Sequence, residues 1–234
     1  MSTTTRHPHP DLPLTITTTG DGAPALVLHG GGGPDSVAPI ADHLAATRTT
    51  HVPTHPGWDG TPRPDWFTGV DTLSTTYLTL LDDLDLTDVL VVGSSFGGWV
   101  AADLTTRDHG HRVSRLVLID AIGPVVPGHE VRTPSGPRPG GAPAGPPPAA
   151  LATLRAYTGP TLGDPALLDR LAGVDIPTLV LWGEHDQVVS AEFGRAYAAA
   201  FPRAEFHLIP GGGHLPTREA PTATFAALDA FLAR

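Results

Sequence analysis

The segment Val89-Leu90-Val91-Val92-Gly93-Ser94-Ser95-Phe96-Gly97-Gly98-Trp99 constrains the fold more than any other part of the chain. An apolar, β-rich run breaks at G-x-S-x-G and resumes as a helix at Trp99-Val100-Ala101-Ala102. So short a passage from strand to helix belongs to a sheet covered by its own helices. Glycines at 93 and 97 allow a backbone approach that side chains would block. The serine at the apex, Ser95, has its hydroxyl pushed out above the end of the sheet, which makes it a candidate nucleophile. Its neighbour Ser94 lies at the x position and is not that residue.

The rest of the chain repeats the alternation of strand and helix. Leu14-Thr15-Ile16-Thr17-Thr18-Thr19-Gly20-Asp21-Gly22 reads as an edge strand and hairpin turn leading into a strand at 25–29. Asp35 or Ser36 is expected to cap a helix running through Ala45, with Val37, Ile40, Ala41 and Leu44 on one face. A short strand around 49–52 feeds the loop Pro56-Gly57-Trp58-Asp59-Gly60. Leu73, Tyr77, Leu80, Leu81 and Leu84 predict a helix over 71–84. Further strands are expected at 113–120, 178–182 and 206–210. This pattern predicts an α/β fold in one domain, 1–234, with a mostly parallel, doubly wound sheet flanked by helices.

Within residues 121–175 the alternation breaks, and a short Pro/Gly-rich cap insertion is expected there. Pro134-Ser135-Gly136-Pro137-Arg138-Pro139-Gly140-Gly141-Ala142-Pro143-Ala144-Gly145-Pro146-Pro147-Pro148 cannot sustain a helix and buries little. Mobility or local polyproline structure is expected over 123–148, and helix only over about 149–173. The stretch admits three roles: a passive linker, a gating lid, or a PxxP docking peptide.

A serine hydroxyl needs a base to take its proton and a third group to orient that base. Asp186 follows the apolar run Thr178-Leu179-Val180-Leu181-Trp182, in the loop Gly183-Glu184-His185-Asp186. His214 ends the glycine run Gly211-Gly212-Gly213 after Phe206-His207-Leu208-Ile209. A neutral imidazole accepts a proton near pH 7 and returns it to a leaving group. Upstream, Ala25-Leu26-Val27-Leu28-His29 opens into Gly30-Gly31-Gly32-Gly33, where bare N–H groups can turn towards a developing oxyanion.

Over nearly its whole length the chain resembles the α/β-hydrolase superfamily. The resemblance rests on His29-Gly30-Gly31, Pro56-Gly57-Trp58-Asp59-Gly60-Thr61-Pro62, Gly93-Ser94-Ser95-Phe96-Gly97-Gly98, Gly183-Glu184-His185-Asp186 and Gly211-Gly212-Gly213-His214-Leu215-Pro216, in family order. It implies Ser95 as nucleophile, His214 as base and Asp186 as the orienting acid. Asp120, after the strand at 116–119, is the alternative acid in some relatives. The resemblance also implies an oxyanion hole from the N–H groups of Phe96 and Gly31. Gly30, Trp58 and Tyr157 are candidate substrate contacts; His29 is expected to organise the oxyanion loop, and Glu184 and Trp99 to be structural. No cofactor or metal is implied.

Composition narrows the alternatives. The 234 residues contain no cysteine, which excludes disulfides, thiolate catalysis and Cys-based zinc sites. The net charge of −10 argues against nucleic acid as the main partner, and the absence of lysine removes Schiff-base chemistry and a P-loop. The histidine pairs 7/9, 51/55 and 109/111 have no completing carboxylate and read as incidental surface residues. No apolar run approaches the roughly 20 residues that span a bilayer, and residues 1–10 have no apolar core of a secretory signal. The expectation is a cytoplasmic protein with a small-molecule substrate and no membrane or nucleic-acid partner.

The expected reaction is hydrolysis of a carboxylic ester or lactone through an acyl-enzyme on Ser95. Rival readings on the same constellation are a carbon–carbon bond hydrolase, a lyase or cofactor-free peroxidase, a biosynthetic cyclase, and a non-catalytic ligand-binding protein. A carbon–carbon hydrolase normally draws polar residues from a fuller cap than this chain is expected to have.

Overall fold

The computed structural model describes residues 1–132 and 148–234. In chain order these form β1 (Ser2–His9), β2 (Leu12–Thr19), β3 (Ala23–Leu28), α1 (Ala38–Leu44), β4 (Arg48–Pro53), α2 (Val70–Asp83), β5 (Val89–Ser94), α3 (Phe96–Arg107) and β6 (Val113–Ile119). After them come β7 (Gly123–Pro124), α4 (Pro148–Thr158), β8 (Gly163–Asp164), α5 (Leu167–Leu171), β9 (Thr178–Gly183), α6 (Ala191–Ala199), β10 (Ala204–Ile209), α7 (Pro216–Glu219) and α8 (Pro221–Leu232). Eight strands build one sheet in the order β1-β2-β4-β3-β5-β6-β9-β10, parallel from β4 onward; β7 and β8 form a separate two-residue pairing.

Alternation in the central strands decides which side of the sheet each residue serves. Leu26, Leu28, Val91, Leu116, Leu118, Val180 and Trp182 lie in one buried cluster with Leu73 and Tyr77 of α2, Val100 of α3 and Phe193 of α6. Their neighbours Ala25, Val27, Leu90, Val92, Val117, Leu179 and Leu181 lie in a second cluster with Ile40 of α1 and Leu228 of α8. Helices therefore cover both faces, as near-continuous apolar strands require.

Two expectations about the N-terminal part are corrected. The Leu14 strand is not an edge strand and does not form a hairpin with the next one. β2 pairs antiparallel with β4, Ile16 opposite Pro53, while β3 runs parallel between β4 and β5. The edge belongs to β1, whose residues are all exposed except one of intermediate burial, so it carries no apolar alternation to read. The first helix also begins later than expected. Residues Pro34–Val37 form a 3₁₀ turn, Ser36 bonds back to the Gly33 carbonyl at 2.6 Å, and neither Asp35 nor Ser36 caps α1.

In the insertion the expected helical stretch is divided: α4 and α5 are separated by a turn and by β8. The Pro/Gly-rich residues 133–147, for which a linker, lid or docking role is open, lie outside the described residues. Among the described residues no helix is long and apolar enough to cross a membrane.

The strand order places the functional loops. From β3 the chain moves to β4 on one side, then returns to β5 on the other. Loops leaving the carboxyl ends of β3 and β5 thus diverge around a crevice at this switch point.

Candidate active site

Ser95 sits at the turn from β5 to α3 with φ 54° and ψ −118°, a conformation that L-residues rarely adopt. The surroundings hold it there. Its N–H donates to the Ile119 carbonyl at 3.0 Å, and its own carbonyl accepts from Gly98 at 3.0 Å and Ile122 at 3.2 Å. A Cβ on Gly93 would lie 2.2 Å from the Gly97 carbonyl oxygen, and one on Gly97 would lie 2.1 Å from that of Leu28. Only bare backbone fits at either position. Phe96 opens α3, so its N–H is one of the helix-terminal donors that have no partner within the helix.

The structure brings Ser95, His214 and Asp186 together from three strand ends. His214 Nε2 lies 2.9 Å from Ser95 Oγ, and His214 Nδ1 lies 2.9 Å from Asp186 Oδ2. The Asp186 side chain is fully buried, while that of His214 is 22% exposed. Asp186 Oδ1 accepts the N–H groups of Val188 at 2.7 Å and Val189 at 3.3 Å, which fixes the carboxylate's orientation. The two loops are pressed together, because a Cβ on Gly183 would lie 2.0 Å from the Gly213 carbonyl oxygen. Glu184 is structural, accepting from the Gly211 N–H at 3.1 Å. Of the two candidate acids, Asp186 reaches the imidazole; Asp120 lies behind it and accepts the Gly183 N–H at 2.8 Å.

Beside Ser95 the glycine run is tied down from below. A Cβ on Gly30 would sit 2.9 Å from that of Ser95, so Gly30 lies directly against the candidate nucleophile. His29 Nε2 accepts the His55 N–H at 2.9 Å, which leaves its Nδ1–H to donate to the Gly30 carbonyl at 2.7 Å. With that carbonyl held by the ring, the N–H of the same trans peptide, on Gly31, points away from it. The Gly31 carbonyl accepts the indole N–H of Trp58 at 3.1 Å.

His55 completes the support. Its Nε2–H donates to the His29 carbonyl at 2.8 Å, and its Nδ1 accepts from the Tyr77 hydroxyl. Both rings are fully buried, and burial lowers the His29 pKa to about 4. His55 is held well below the usual imidazole range by burial and by His29. The reading of His51 and His55 as surface residues is therefore corrected: both are buried, and His55 is a structural part of the site. Among the described residues no group of three or more acidic or histidine side chains is placed to hold a metal.

Trp58 and Tyr157 enter the site through an aromatic cluster. Trp58, 3% exposed, stacks on Phe96 at 5.8 Å and on Tyr157 at 5.8 Å between ring centroids. The Tyr157 hydroxyl donates to the Pro56 carbonyl at 2.8 Å, so α4 is tied to the loop after β4. The polar atoms of both residues are thus engaged with backbone. Trp99 packs in the core beside Gly123 and Leu167.

Residues 25–228 match the model of a family described as the alpha/beta hydrolase family. A 2-hydroxy-6-oxo-2,4-heptadienoate hydrolase from Pseudomonas putida is 34% identical over 110 residues, 44% of this chain and 39% of that relative. This match thus spans about two fifths of the relative's length. Among solved structures, a bromoperoxidase from Bacillus anthracis aligns over 100% of both chains with a TM-score of 0.79 and 20% identity. An esterase from Rhodococcus sp. aligns over 100% of this chain and 99% of its own, with a TM-score of 0.78 and 22% identity.

Proposed function

The chain belongs to the alpha/beta hydrolase family, and from that premise we propose that it is a serine hydrolase acting on carboxylic esters or lactones. One observation carries the reading: the continuous chain Ser95 Oγ, His214 Nε2, His214 Nδ1 and Asp186 Oδ2, each contact 2.9 Å long. His214 takes the Ser95 proton as Oγ attacks the acyl carbon, and Asp186 holds the imidazole in the required tautomer. The Phe96 and Gly31 N–H groups receive the oxyanion; in comparable sites one such donor contributes roughly 2.7–4 kcal/mol. The imidazolium returns its proton to the leaving alkoxide, leaving an acyl-enzyme. Water then attacks that ester with His214 as base, releasing the acid and restoring Ser95.

The match to the heptadienoate hydrolase favours a second reading on the same residues, carbon–carbon bond hydrolysis of a dienoate. The two are separated by which substrate class turns over. Before any substrate is chosen, a fluorophosphonate tests the shared core. Intact mass should show one adduct on the wild type and none on Ser95→Ala; an unlabelled, folded wild type would overturn the serine mechanism.

A further inference from the structure

Asp120 follows β6 in a left-handed turn, φ 45°, and its side chain continues the ladder between β6 and β9. The last backbone pair is Ile119 opposite Leu181. Beyond it the Asp120 N–H donates to the Leu181 carbonyl at 3.0 Å, and Asp120 Oδ1 takes the Gly183 N–H at 2.8 Å. The carboxyl group thus stands where the next carbonyl of the ladder would be. It is fully buried, and its other oxygen, Oδ2, has no donor among the described residues. Gly183 also links it to Asp186, whose N–H donates to the Gly183 carbonyl at 3.3 Å, and the Asp186 charge acts on the Asp120 carboxyl.

Two buried carboxylates cannot face each other with both ionised, and an ionised Oδ2 here would be a buried charge without a partner. Asp186 is held by three N–H donors, from Val188, Val189 and His214, against one, from Gly183, on Asp120. The spare proton therefore belongs on Asp120. We propose that Asp120 is a positioning residue, a neutral carboxylic acid whose Oδ2–H donates to the Asp186 carboxylate and holds it against His214. Burial, then the Asp186 charge, push the Asp120 carboxyl well above the usual carboxylate range; Glu219 adds to this, and the Gly183 N–H opposes it. Asp186 and Glu219 are the charged groups that act on it, and His214 bonds to Asp186. The effect on catalysis rests on the triad reading above, whereas the location of the proton does not.

Infrared difference spectra of wild type minus Asp120→Asn at neutral pH test the proton directly. A protonated-carboxyl C=O band present only in the wild type is expected; its absence overturns the proposal, whether or not the protein is an active hydrolase. Fluorophosphonate labelling rates across pH test the positioning. Asparagine keeps an acceptor for Gly183 and an N–H for Asp186, so Asp120→Asn should label within about threefold of wild type, with its acid limb unmoved. Asp120→Ala should label roughly tenfold or more slowly. An Asp120→Ala variant that labels at the wild-type rate overturns the proposal. So does an Asp120→Asn acid limb displaced downward by about one pH unit, the signature of a lost second charge. Should the alanine variant fail to fold, the band and the asparagine profile decide the matter.

Discussion

His55 donates its backbone N–H to Nε2 of His29 at 2.9 Å, and with Nδ1–H on the Gly30 carbonyl this leaves His29 no site for a second proton. Protonating Nε2 breaks its bond to the His55 N–H, while the Nδ1–H bond to the Gly30 carbonyl beside Ser95 persists. The folded-state pKa of His29 is lowered to about 4 from 6.5, so its contribution to stability is complete above about pH 6.5 and is lost as pH falls towards 4. Its full size is on the order of 3 kcal/mol, and His55 acts in the same direction. Urea denaturation at pH 7.5 and pH 5 should show the acid loss. His29→Leu should be less stable at pH 7.5 but flatter across this window, and an equally steep profile in that variant would contradict the assignment.

Asp186→Asn separates orientation from charge in the proposed triad. The amide removes the acceptor that fixes His214 Nδ1–H, so the imidazole turns its proton towards Ser95. Turnover of an ester substrate, or labelling by fluorophosphonate, should fall by roughly 10³- to 10⁴-fold with the circular dichroism spectrum unchanged. A loss of only a few fold would mean that another acid serves His214.

Close packing of the two loops at the sheet end predicts a sharp glycine effect. Gly183→Ala places a methyl where the Gly213 carbonyl oxygen lies, so the Asp186 and His214 loops must separate. The expected cost is about 1–3 kcal/mol, together with slower fluorophosphonate labelling. Gly110→Ala is the control, since its Cβ would meet nothing nearer than 3.7 Å. Equal behaviour of the two variants would dismiss the role of this contact.

Trp58→Phe keeps a ring on Phe96 and Tyr157 but removes the N–H that holds the Gly31 carbonyl. A loss of about 1 kcal/mol in stability is expected. The turnover number should fall more than the KM rises, because the loop position matters most when the oxyanion forms. If KM alone changes, Trp58 acts on substrate binding and not through Gly31.

Much of the candidate site was legible along the chain because its geometry is local. The turn Gly93–Gly97, the loop Gly183–Asp186 and the run Gly211–His214 each carry the glycines that their own close approaches need. Aspartate and histidine then stand past strand ends in the order Ser95, Asp186, His214. The Asp186–Asp120 ambiguity was different. Both follow apolar strands, and only the side-by-side placement of β6 and β9 puts one on His214 and the other behind it.

By itself, the sequence determined the alternation of strand and helix, the doubly wound sheet and the serine on a tight strand-to-helix turn. Those follow from period and turn geometry, which act within a few residues. Tertiary structure alone decided that β4 separates β2 from β3, and that Thr-rich β1 covers the edge. It also decided that His55 supports His29 from 26 residues away, that Tyr77 reaches His55 across 22, and that Tyr157 ties to Pro56 across 101. Histidine, tyrosine and aspartate have no fixed place inside or outside a protein. Their burial depends on which distant backbone group offers a hydrogen bond, and that partner exists only once the sheet has closed around it.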